Sequence, residues 1–195
     1  MSASIFAQAL GEAAVAALPA PVKALHDGDG PPIWHGRAEI ETGASPVARL
    51  LGRIIGLPPA GRDVALTVSI DRDAGPDGQA EIWTRDFGGV CFSSRLAIDT
   101  AGTLQETFGP IAFSLGLAVR DDGLALPVTD AHCLGLPLPR LLLPRSESRE
   151  YADAEGRFRF DIKLTLPLFG LLTHYRGWLV PAGEALTPPE QDERP

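Results

Sequence analysis

The chain is poor in the residues that define several classes of protein. Among its 195 residues only two are cysteines, Cys91 and Cys133, and they form no C-x-x-C pair. That spacing excludes a cysteine zinc site and leaves open either two small buried thiols or one disulfide. We favour buried thiols, because both cysteines lie among apolar residues.

Long apolar runs and an excess of positive charge are also missing. No window of about 18 apolar residues occurs, so we expect no membrane span. Residues 1–28 lack a basic start, and Gln8 and Glu12 interrupt their apolar run, which is unlike a signal peptide. The formal net charge of −8 disfavours nucleic acid as a partner and electrostatic docking on anionic lipid. We therefore expect a cytoplasmic, soluble protein.

Motifs that announce catalysis or a cofactor are absent as well. The four histidines form no H-x-H or H-x-x-x-H pair, and no G-x-S-x-G or G-x-G-x-x-G sequence occurs. The sequence therefore predicts no metal and no cofactor, and it leaves any catalytic residues unassigned. Catalytic groups can still be assembled from distant residues.

Glycine and proline are abundant, at 21 and 18 residues, which favours short elements joined by tight turns. An apolar pattern predicts an amphipathic helix over 3–18, and Ser45, Pro46 and Gly56 predict a short helix over 45–56. The apolar face of the short helix would hold Val47, Leu50, Leu51, Ile54 and Ile55.

Beyond residue 62, apolar and polar residues alternate with the period of half-buried strands. Loops that end in glycine separate these strands, at 73–78, 99–102, 120–123 and 153–156. The pattern predicts an α+β, mainly β fold, a curved antiparallel meander that closes into a barrel or half-barrel of about 8–10 strands. We expect one domain over 1–181, with a helix in the mouth of the barrel or against its concave face, and a disordered tail over 182–195.

Two predicted strands, 81–89 and 172–180, place aromatic and charged side chains on one face. A Trp–Arg pair there could clamp an anionic or carbonyl group of a ligand, or it could be cation–π packing, which we favour. The side chains concerned are Trp83 and Arg85 in the first strand and His174, Arg176 and Trp178 in the second.

The glycine loops also predict strand registers, each to within one residue. The loop at 99–102 places Arg95 opposite Glu106, and the loop at 153–156 places Arg149 on the inward face. A buried arginine is costly unless it is paired. Either a polar patch lines the interior, a bulge shifts the register, or this is an edge strand whose charges reach solvent. The ligand-binding candidates are therefore Trp83, Arg85, Arg95, Glu106, Arg149, Tyr151, His174, Arg176 and Trp178.

Three stretches share a leucine-, glycine- and proline-rich character: "LLGRIIGLPPAG" (50–61), "CLGLPLPRLLLP" (133–144) and "LTLPLFGLL" (164–172). The prolines keep the second stretch out of a helix or a central strand, and it is too short to span a bilayer. These stretches either cap the core at one end of the barrel or form a hydrophobic rim that admits a ligand or contacts a partner. We favour the packed arrangement.

Several longer runs carry a family resemblance. "WTRDFGGVCFSSRL", "ETFGP", "GLPLPRLLLPRSESREY", "RFRFDIKLTLPLFGLL" and "YRGWL" together resemble a bacterial domain-of-unknown-function family (number 4166). That domain is found alone or fused to saccharopine-dehydrogenase-like Rossmann proteins, and the resemblance covers residues 4–181. It implies a nucleotide-dependent reductase as a partner and assigns no catalytic residues.

Three functional hypotheses follow. The leading one is a non-enzymatic domain that binds a hydrophobic or lipid-like small molecule within the curved sheet. The second is an enzyme or accessory domain that acts with a reductase on a carbonyl or lipid-derived substrate, using Glu106 or His174. The third is a protein-interaction module that docks through the apolar loops.

Overall fold

The computed structural model describes residues 4–72, 80–120 and 123–183. The helices are α1 (Ile5–Leu10), α2 (Glu12–Ala16), α3 (Ala20–His26) and α4 (Pro46–Ile54). The strands are β1 (Ile33–Thr42), β2 (Gly61–Asp71), β3 (Ala80–Phe87), β4 (Val90–Ile98), β5 (Leu104–Phe108), β6 (Ile111–Leu115), β7 (Ala118–Arg120), β8 (Gly123–Ala125), β9 (Val128–Cys133), β10 (Leu136–Pro137), β11 (Arg145–Ala152), β12 (Phe158–Leu166) and β13 (Gly170–Pro181). The predicted loop at 73–78 and the predicted tail from residue 184 onward lie outside the described residues.

The N-terminal region is helical, but the single helix predicted over 3–18 is wrong. Gly11 has φ of 88°, a left-handed value that ends α1 and lets α2 start in a new direction. The Ser4 side chain caps α1 by accepting from the Ala7 N–H at 3.1 Å. Pro19 ends this part of the chain and precedes α3.

Helix α4 forms where it was predicted, and Gly56 follows it with φ of 76°. The Ser45 side chain makes no capping hydrogen bond, so that part of the prediction is wrong. The packed side of α4 matches part of the predicted face, since Leu51 and Ile55 pack beside the buried Ala48. The other predicted residues, Val47, Leu50 and Ile54, are exposed. The Ala48 methyl group fits closely against β12 and β13, in a small cluster with Leu166 and Leu172.

The 13 strands of the described residues form one antiparallel sheet in the order β10-β9-β6-β5-β4-β3-β2-β1-β13-β12-β11-β8-β7. This confirms the mainly β fold with few helices. The strand number exceeds the prediction because β7, β8 and β10 are only two or three residues long. No ladder joins β10 to β7 within the described residues, so the sheet is open and has the form of a curved half-barrel.

The two flanks of the open sheet are joined by the chain itself. Strand β8 pairs with β11 on one flank and β9 pairs with β6 on the other, and only Leu126 and Pro127 separate them. The Leu126 N–H donates to the Ser148 carbonyl at 3.0 Å, and the Gly116 N–H donates to the Pro127 carbonyl at 2.9 Å. We call residues 126–127 the seam, because consecutive residues there bond to opposite flanks.

Close backbone contacts in the middle of the sheet require glycine. A Cβ atom on Gly177 in β13 would lie 2.0 Å from the Arg37 carbonyl oxygen and 2.6 Å from Cζ of Phe160. Glycine in a strand interior often coincides with such an approach of another backbone. The sheet can therefore curve tightly around its concave face at β13.

The concave face carries the main hydrophobic core, which includes Trp34, Phe158 and Leu124. Helices α1 and α3 cover one end of the half-barrel and contribute Phe6 and Leu25 to the same core. The helix predicted over 3–18 is thus present as α1 and α2, and α3 is a further short helix at the same end.

The register predicted at 99–102 is wrong by one residue. Arg95 pairs with Thr107 rather than Glu106. The Asp99 N–H donates to the Thr103 carbonyl, and the Asp99 carboxylate accepts from the Thr103 N–H at 2.8 Å. Asp99 and Thr103 therefore close a three-residue loop, where a four-residue loop was expected.

The register predicted at 153–156 is wrong for the same reason. Asp153 closes a three-residue loop with Arg157 and accepts from its N–H at 2.8 Å. Arg149 consequently pairs with Asp161. A slip of one residue moves each side chain to the opposite face, so Arg149 faces outward and Glu150 faces the core. This is the shifted-register alternative.

Candidate functional site

The half-barrel contains a cavity of about 120 Å³ on its concave side. Its wall combines helix residues, such as Phe6 and Leu25, with strand residues from both flanks, such as Phe113 and Phe160. Leu126 of the seam also lines it. Most of the wall is apolar, as expected for the inner face of a half-buried sheet.

Five ionisable side chains interrupt this apolar wall, beside the hydroxyl groups of Ser146 and Ser148. We call the five the interior polar cluster: His26, Arg85, Glu106, Glu150 and Tyr175. They come from α3, β3, β5, β11 and β13, respectively. The fold therefore gathers into one cavity groups that are far apart in the sequence.

His26 and Glu150 form a buried pair. The His26 Nε2 atom is hydrogen-bonded to Oε2 of Glu150, and only 1% of the histidine is exposed. The imidazole packs between Phe6, at a centroid distance of 3.8 Å, and Trp83, at 5.7 Å. Its Nδ1 atom is buried and has no hydrogen-bond partner among the described residues. Such an orphaned atom is a site for a ligand or a water molecule.

Arg85 and Glu106 form a second pair in the cluster. The Arg85 Nη2 atom lies 3.1 Å from Oε1 of Glu106, and Ser94 bridges them by accepting from Arg85 and donating to Glu106. The guanidinium also lies 5.4 Å from the ring centres of Trp83 and Phe92. This arrangement is cation–π packing, and it leaves Arg85 with its charge already compensated.

Tyr175 brings a neutral hydroxyl to the cavity. Burial raises its pKa from 10.0 to about 12; Arg85 opposes the shift, while Glu106 and Glu150 add to it. The phenol therefore keeps its proton at any physiological pH and can donate a hydrogen bond.

Glu81 lies behind the cluster and is 3% exposed. Burial raises the pKa of its carboxyl, whereas the Trp83 N–H, which donates to it at 2.7 Å, and nearby Arg72 favour the charged form. Arg72 in turn donates to the Leu25 and Gly30 carbonyls at 3.0 Å. These bonds tie the end of α3 to the sheet and so hold His26 in place.

Three of the nine predicted site residues belong to this region: Trp83, Arg85 and Glu106. The other six lie on the outer surface, so the expectation that Arg95, Arg149 and Arg176 face the interior is wrong. Arg95 is exposed on β4. Arg176 forms an ion pair with Glu39 at 2.9 Å.

The remaining outer candidates form ordinary surface contacts. His174 Nε2 lies 2.8 Å from Asp161. Arg149 stacks over Tyr151 at 4.9 Å, and Trp178 packs under Arg157 at 5.1 Å. Within the part of the chain that the structure describes, His174 therefore shares no cleft with Glu106.

His26, Glu150 and Tyr175 were missed by the sequence reasoning. Tyr175 alternates with His174 and Arg176, and it lies opposite Ile162 of the inward apolar face of β12. That pairing was the signal that could have found it. His26 carries no comparable local signal, since its partner Glu150 is 124 residues away.

The two cysteines are free. Cys91 is exposed and Cys133 is half-buried, so the prediction of two buried thiols is wrong for Cys91. Among the described residues, no three His, Cys, Asp or Glu side chains gather as metal ligands. Within the same ranges no helix is long and apolar enough to cross a membrane.

The three leucine- and proline-rich stretches meet the end of the half-barrel opposite α1 and α3. There β1 leads into α4, β9 ends, β11 begins, and β12 turns into β13. We call residues 46–56, 133–145 and 167–170 the apolar rim. Leu138 and Leu143 pack against the core, but many other side chains of the rim are exposed, so the favoured packed arrangement is wrong for them. They are Val47, Leu50, Ile54, Leu134, Leu136, Leu141, Leu142, Leu168 and Phe169.

An open groove of about 420 Å³ lies in the rim, between residues 140–145 and Pro167. It shares Val128 and Ser146 with the wall of the interior cavity. The cavity and the groove are therefore separated by little more than these two side chains.

Residues 18–179 match the model of a family described as a domain of unknown function (DUF4166). No curated protein matches the chain.

Proposed function

We propose, from the premise that this chain belongs to the DUF4166 family, that the domain binds a compact, neutral and largely apolar molecule that carries one hydrogen-bonding group. The observation that carries the proposal is the partly open cavity, whose apolar wall includes His26 and Tyr175. A mostly apolar pocket with a few converging polar groups is the usual form of a small-molecule site.

The size of the cavity limits the ligand. At about 120 Å³ it is close to an engineered cavity of about 150 Å³ that binds benzene, and below the range of about 300–1,000 Å³ for drug-sized ligands. A ring or a short branched chain fits, and a longer molecule would have to extend past Val128 and Ser146 into the groove.

The charges of the cluster favour a neutral ligand. Glu106 and Glu150 are both carboxylates, and Arg85 is already bonded to Glu106. An anion would meet net repulsion and would have to displace a carboxylate from Arg85. Tyr175 offers a donor and His26 an unpartnered ring nitrogen, which suits a hydroxyl or carbonyl group.

A series of benzene, phenol and benzoate tests this proposal by calorimetry and by thermal unfolding. We expect phenol to bind more tightly than benzene, and benzoate to bind most weakly. Tyr175→Phe should weaken phenol but not benzene, while Tyr151→Phe, on the outer surface, should change neither. Failure of all three probes to bind, or equal effects of the two tyrosine substitutions, would overturn the proposal.

A second candidate function is proton transfer on such a ligand. It is favoured by the convergence of two carboxylates and a histidine in one cavity, which is how general acid–base sites are assembled. Native mass spectrometry of protein from its own host would identify a carried molecule, and incubation in D₂O would show whether its protons exchange. If Glu106→Gln keeps the bound mass and stops the exchange, the domain is an enzyme.

The reductase partner and the cytoplasmic location stay predictions. The protein-interaction hypothesis needs an exposed apolar surface, and the rim is the surface on which it would rest.

A further inference from the structure

We infer that the apolar rim docks this domain on an anionic phospholipid bilayer. This inference does not depend on the ligand of the interior cavity, because it rests on residues at the surface. It concerns reversible attachment through side chains and not insertion of the fold.

Helix α4 exposes an apolar stripe to solvent. Val47, Leu50 and Ile54 are exposed at helical spacing, and Leu50 keeps 59% of its surface accessible. The opposite side of the helix, at Ala48, packs on the sheet. Because α4 is held to the sheet on one side, its exposed apolar face would lie against any surface that the rim contacts.

The hairpin between β9 and β10 holds a leucine in a costly conformation. Leu134 has φ of 52° and is followed by Gly135 with φ of 79°, so both central residues of this two-residue loop are left-handed. Asparagine or glycine is usual at the first position. The chain has leucine there instead, and its side chain is 80% exposed. Strained positions of this kind cluster at binding sites.

The charge of the rim is opposite to that of the whole chain. The three rim segments hold four of the 17 basic residues and none of the 25 acidic residues. All four arginines are exposed, and no described side chain forms an ion pair with any of them. They are Arg49, Arg53, Arg140 and Arg145. The net charge of −8 therefore disfavours anionic lipid for the chain as an average, and it does not describe these three segments. Two exposed acidic side chains that flank these segments in the sequence, Glu41 and Glu147, are paired with Arg176 and Lys163.

The pieces of the rim adjoin one another. The 140–145 segment and Pro167 share the groove, and the turn after Pro167 leads into β13, against which α4 packs. Exposed leucines, and arginines that form no ion pair with a described side chain, suit the apolar and the charged layer of a bilayer surface, respectively. The apolar side chains reach the acyl boundary, and the guanidinium groups lie at the phosphates.

A lipid surface fits the rim better than a protein partner does. The exposed apolar residues of the rim are aliphatic apart from Phe169, whereas the cores of protein interfaces are enriched in aromatic residues. Arginine is common at protein interfaces too, so it is the aliphatic character of the rim that favours lipid. They also project from three separate segments rather than forming one continuous helix face or strand edge. Docking in this orientation turns the groove between residues 140–145 and Pro167 toward the bilayer.

Vesicle co-sedimentation of the full chain tests the inference. The probes are vesicles of phosphatidylcholine alone and of phosphatidylcholine mixed with phosphatidylglycerol. We expect binding to the mixed vesicles, weaker binding to phosphatidylcholine, and loss of the difference as salt is raised. Absence of binding to both vesicles at low salt would overturn the inference.

Two double variants divide the contributions. R49Q/R53Q should weaken binding to the anionic vesicles by about 30-fold, since each arginine near such a surface contributes about a fivefold factor. L50S/L141S should weaken binding to both kinds of vesicle. All four side chains are exposed, so the melting temperature should stay that of the wild type.

Matched controls lie on other parts of the molecule. Ile33→Ser removes an exposed aliphatic side chain at the opposite end of the sheet, and Arg95→Gln removes an exposed arginine from the outer face. Neither should change vesicle binding. Equal effects of rim and control variants would contradict the inference. A second outcome would also contradict it. In that outcome light scattering shows a soluble oligomer of the wild type, the rim substitutions dissociate the oligomer, and neither wild type nor variants bind vesicles.

Discussion

The interior polar cluster and the apolar rim contain the same kinds of side chain, but they differ in how the charges of their arginines are compensated. Both combine arginines with large apolar side chains. Inside, Arg85 is bonded to Glu106 and Ser94 and stacked on two aromatic rings. At the rim, four arginines stand among leucines with no acidic partner in the described part of the chain. A charge removed from water must be compensated within the fold, whereas a charge left in water need not be.

Because of this difference, we expect the interior polar cluster to contribute to stability and the rim to contribute to recognition. The cluster should contribute to the free energy of folding, because breaking either of its pairs leaves a buried charge uncompensated. The exposed side chains of the rim should contribute little, because much of their surface stays in contact with water in the folded chain. Substitutions in the two regions should therefore differ most clearly in unfolding experiments.

The largest effect is expected at the buried histidine. His26→Ala removes a ring packed between Phe6 and Trp83 and leaves the Glu150 carboxylate buried without its partner. We expect a loss of about 3–5 kcal/mol in the free energy of unfolding, measured in urea. His174→Ala, which breaks a half-exposed pair on the outer face, should cost about 1 kcal/mol. Equal losses of unfolding free energy in the two variants would contradict the expected difference between the interior and the outer face of the sheet.

The next largest effect is a loss of stability at alkaline pH, which depends on Tyr175. The folded chain keeps the Tyr175 proton up to about pH 12, while an unfolded chain releases it near 10.0. Between these values the unfolded state binds fewer protons, so stability falls as pH rises, by about 3 kcal/mol in all. Tyr175→Phe should abolish this part of the loss, and Tyr151→Phe should not. Phenolate absorbance of the wild type should show the late step directly.

A smaller effect with the same direction in pH, but in the acid range, is expected at Glu81. Burial raises the pKa of this carboxyl, so the folded state takes up a proton first as pH falls toward 4.5, and stability rises over that interval. Glu81→Gln should therefore be more stable than the wild type at neutral pH, and the difference should close toward pH 4.5. The effect is reduced because Trp83 and Arg72 favour the charge. A variant that is less stable at every pH would show that the hydrogen bond outweighs burial.

The smallest effect is expected at the rim. L50S/L141S should change the free energy of unfolding by less than about 0.5 kcal/mol, because both side chains are exposed. Urea unfolding of L50S/L141S and of His26→Ala under the same conditions compares the rim and the interior polar cluster most directly. A loss above about 2 kcal/mol would place the rim with the core instead.

Much of the fold could be predicted from periodicity. Alternation in β2, β6 and β12 predicted an antiparallel sheet, and the grouping of His174, Arg176 and Trp178 on one face was correct. Which face Arg149 of β11 occupies depended on the loop at 153–156. There the Asp153 carboxylate bonds to the Arg157 N–H and shortens the loop by one residue. One local hydrogen bond thus reversed the inside and outside of the adjoining strand.

The candidate site was less predictable. Trp83, Arg85 and Glu106 could be found because strand alternation places them on the face of known core residues. His26 could not, since its role depends on a helix end meeting β11 more than a hundred residues later. At α4, apolar periodicity predicted one packed face, but only the part of it beside Ala48 packs, and Leu50 is left exposed. Periodicity indicates which residues share a face, and only tertiary packing decides what that face meets.

The seam gives the half-barrel a kinetic property. Its two flanks are held across residues 126–127 by the bonds Leu126 N–H to the Ser148 carbonyl and Gly116 N–H to the Pro127 carbonyl. The Ser146 hydroxyl also donates to the Leu126 carbonyl at 3.1 Å, and Pro127 has no N–H to add another bond. Opening this short junction would expose the cavity wall at Leu126 and Val128 without unfolding the rest of the sheet. The amide hydrogens of Leu126 and Gly116 should therefore exchange with solvent together, and their exchange rate sets an upper limit on how fast a ligand enters through the seam.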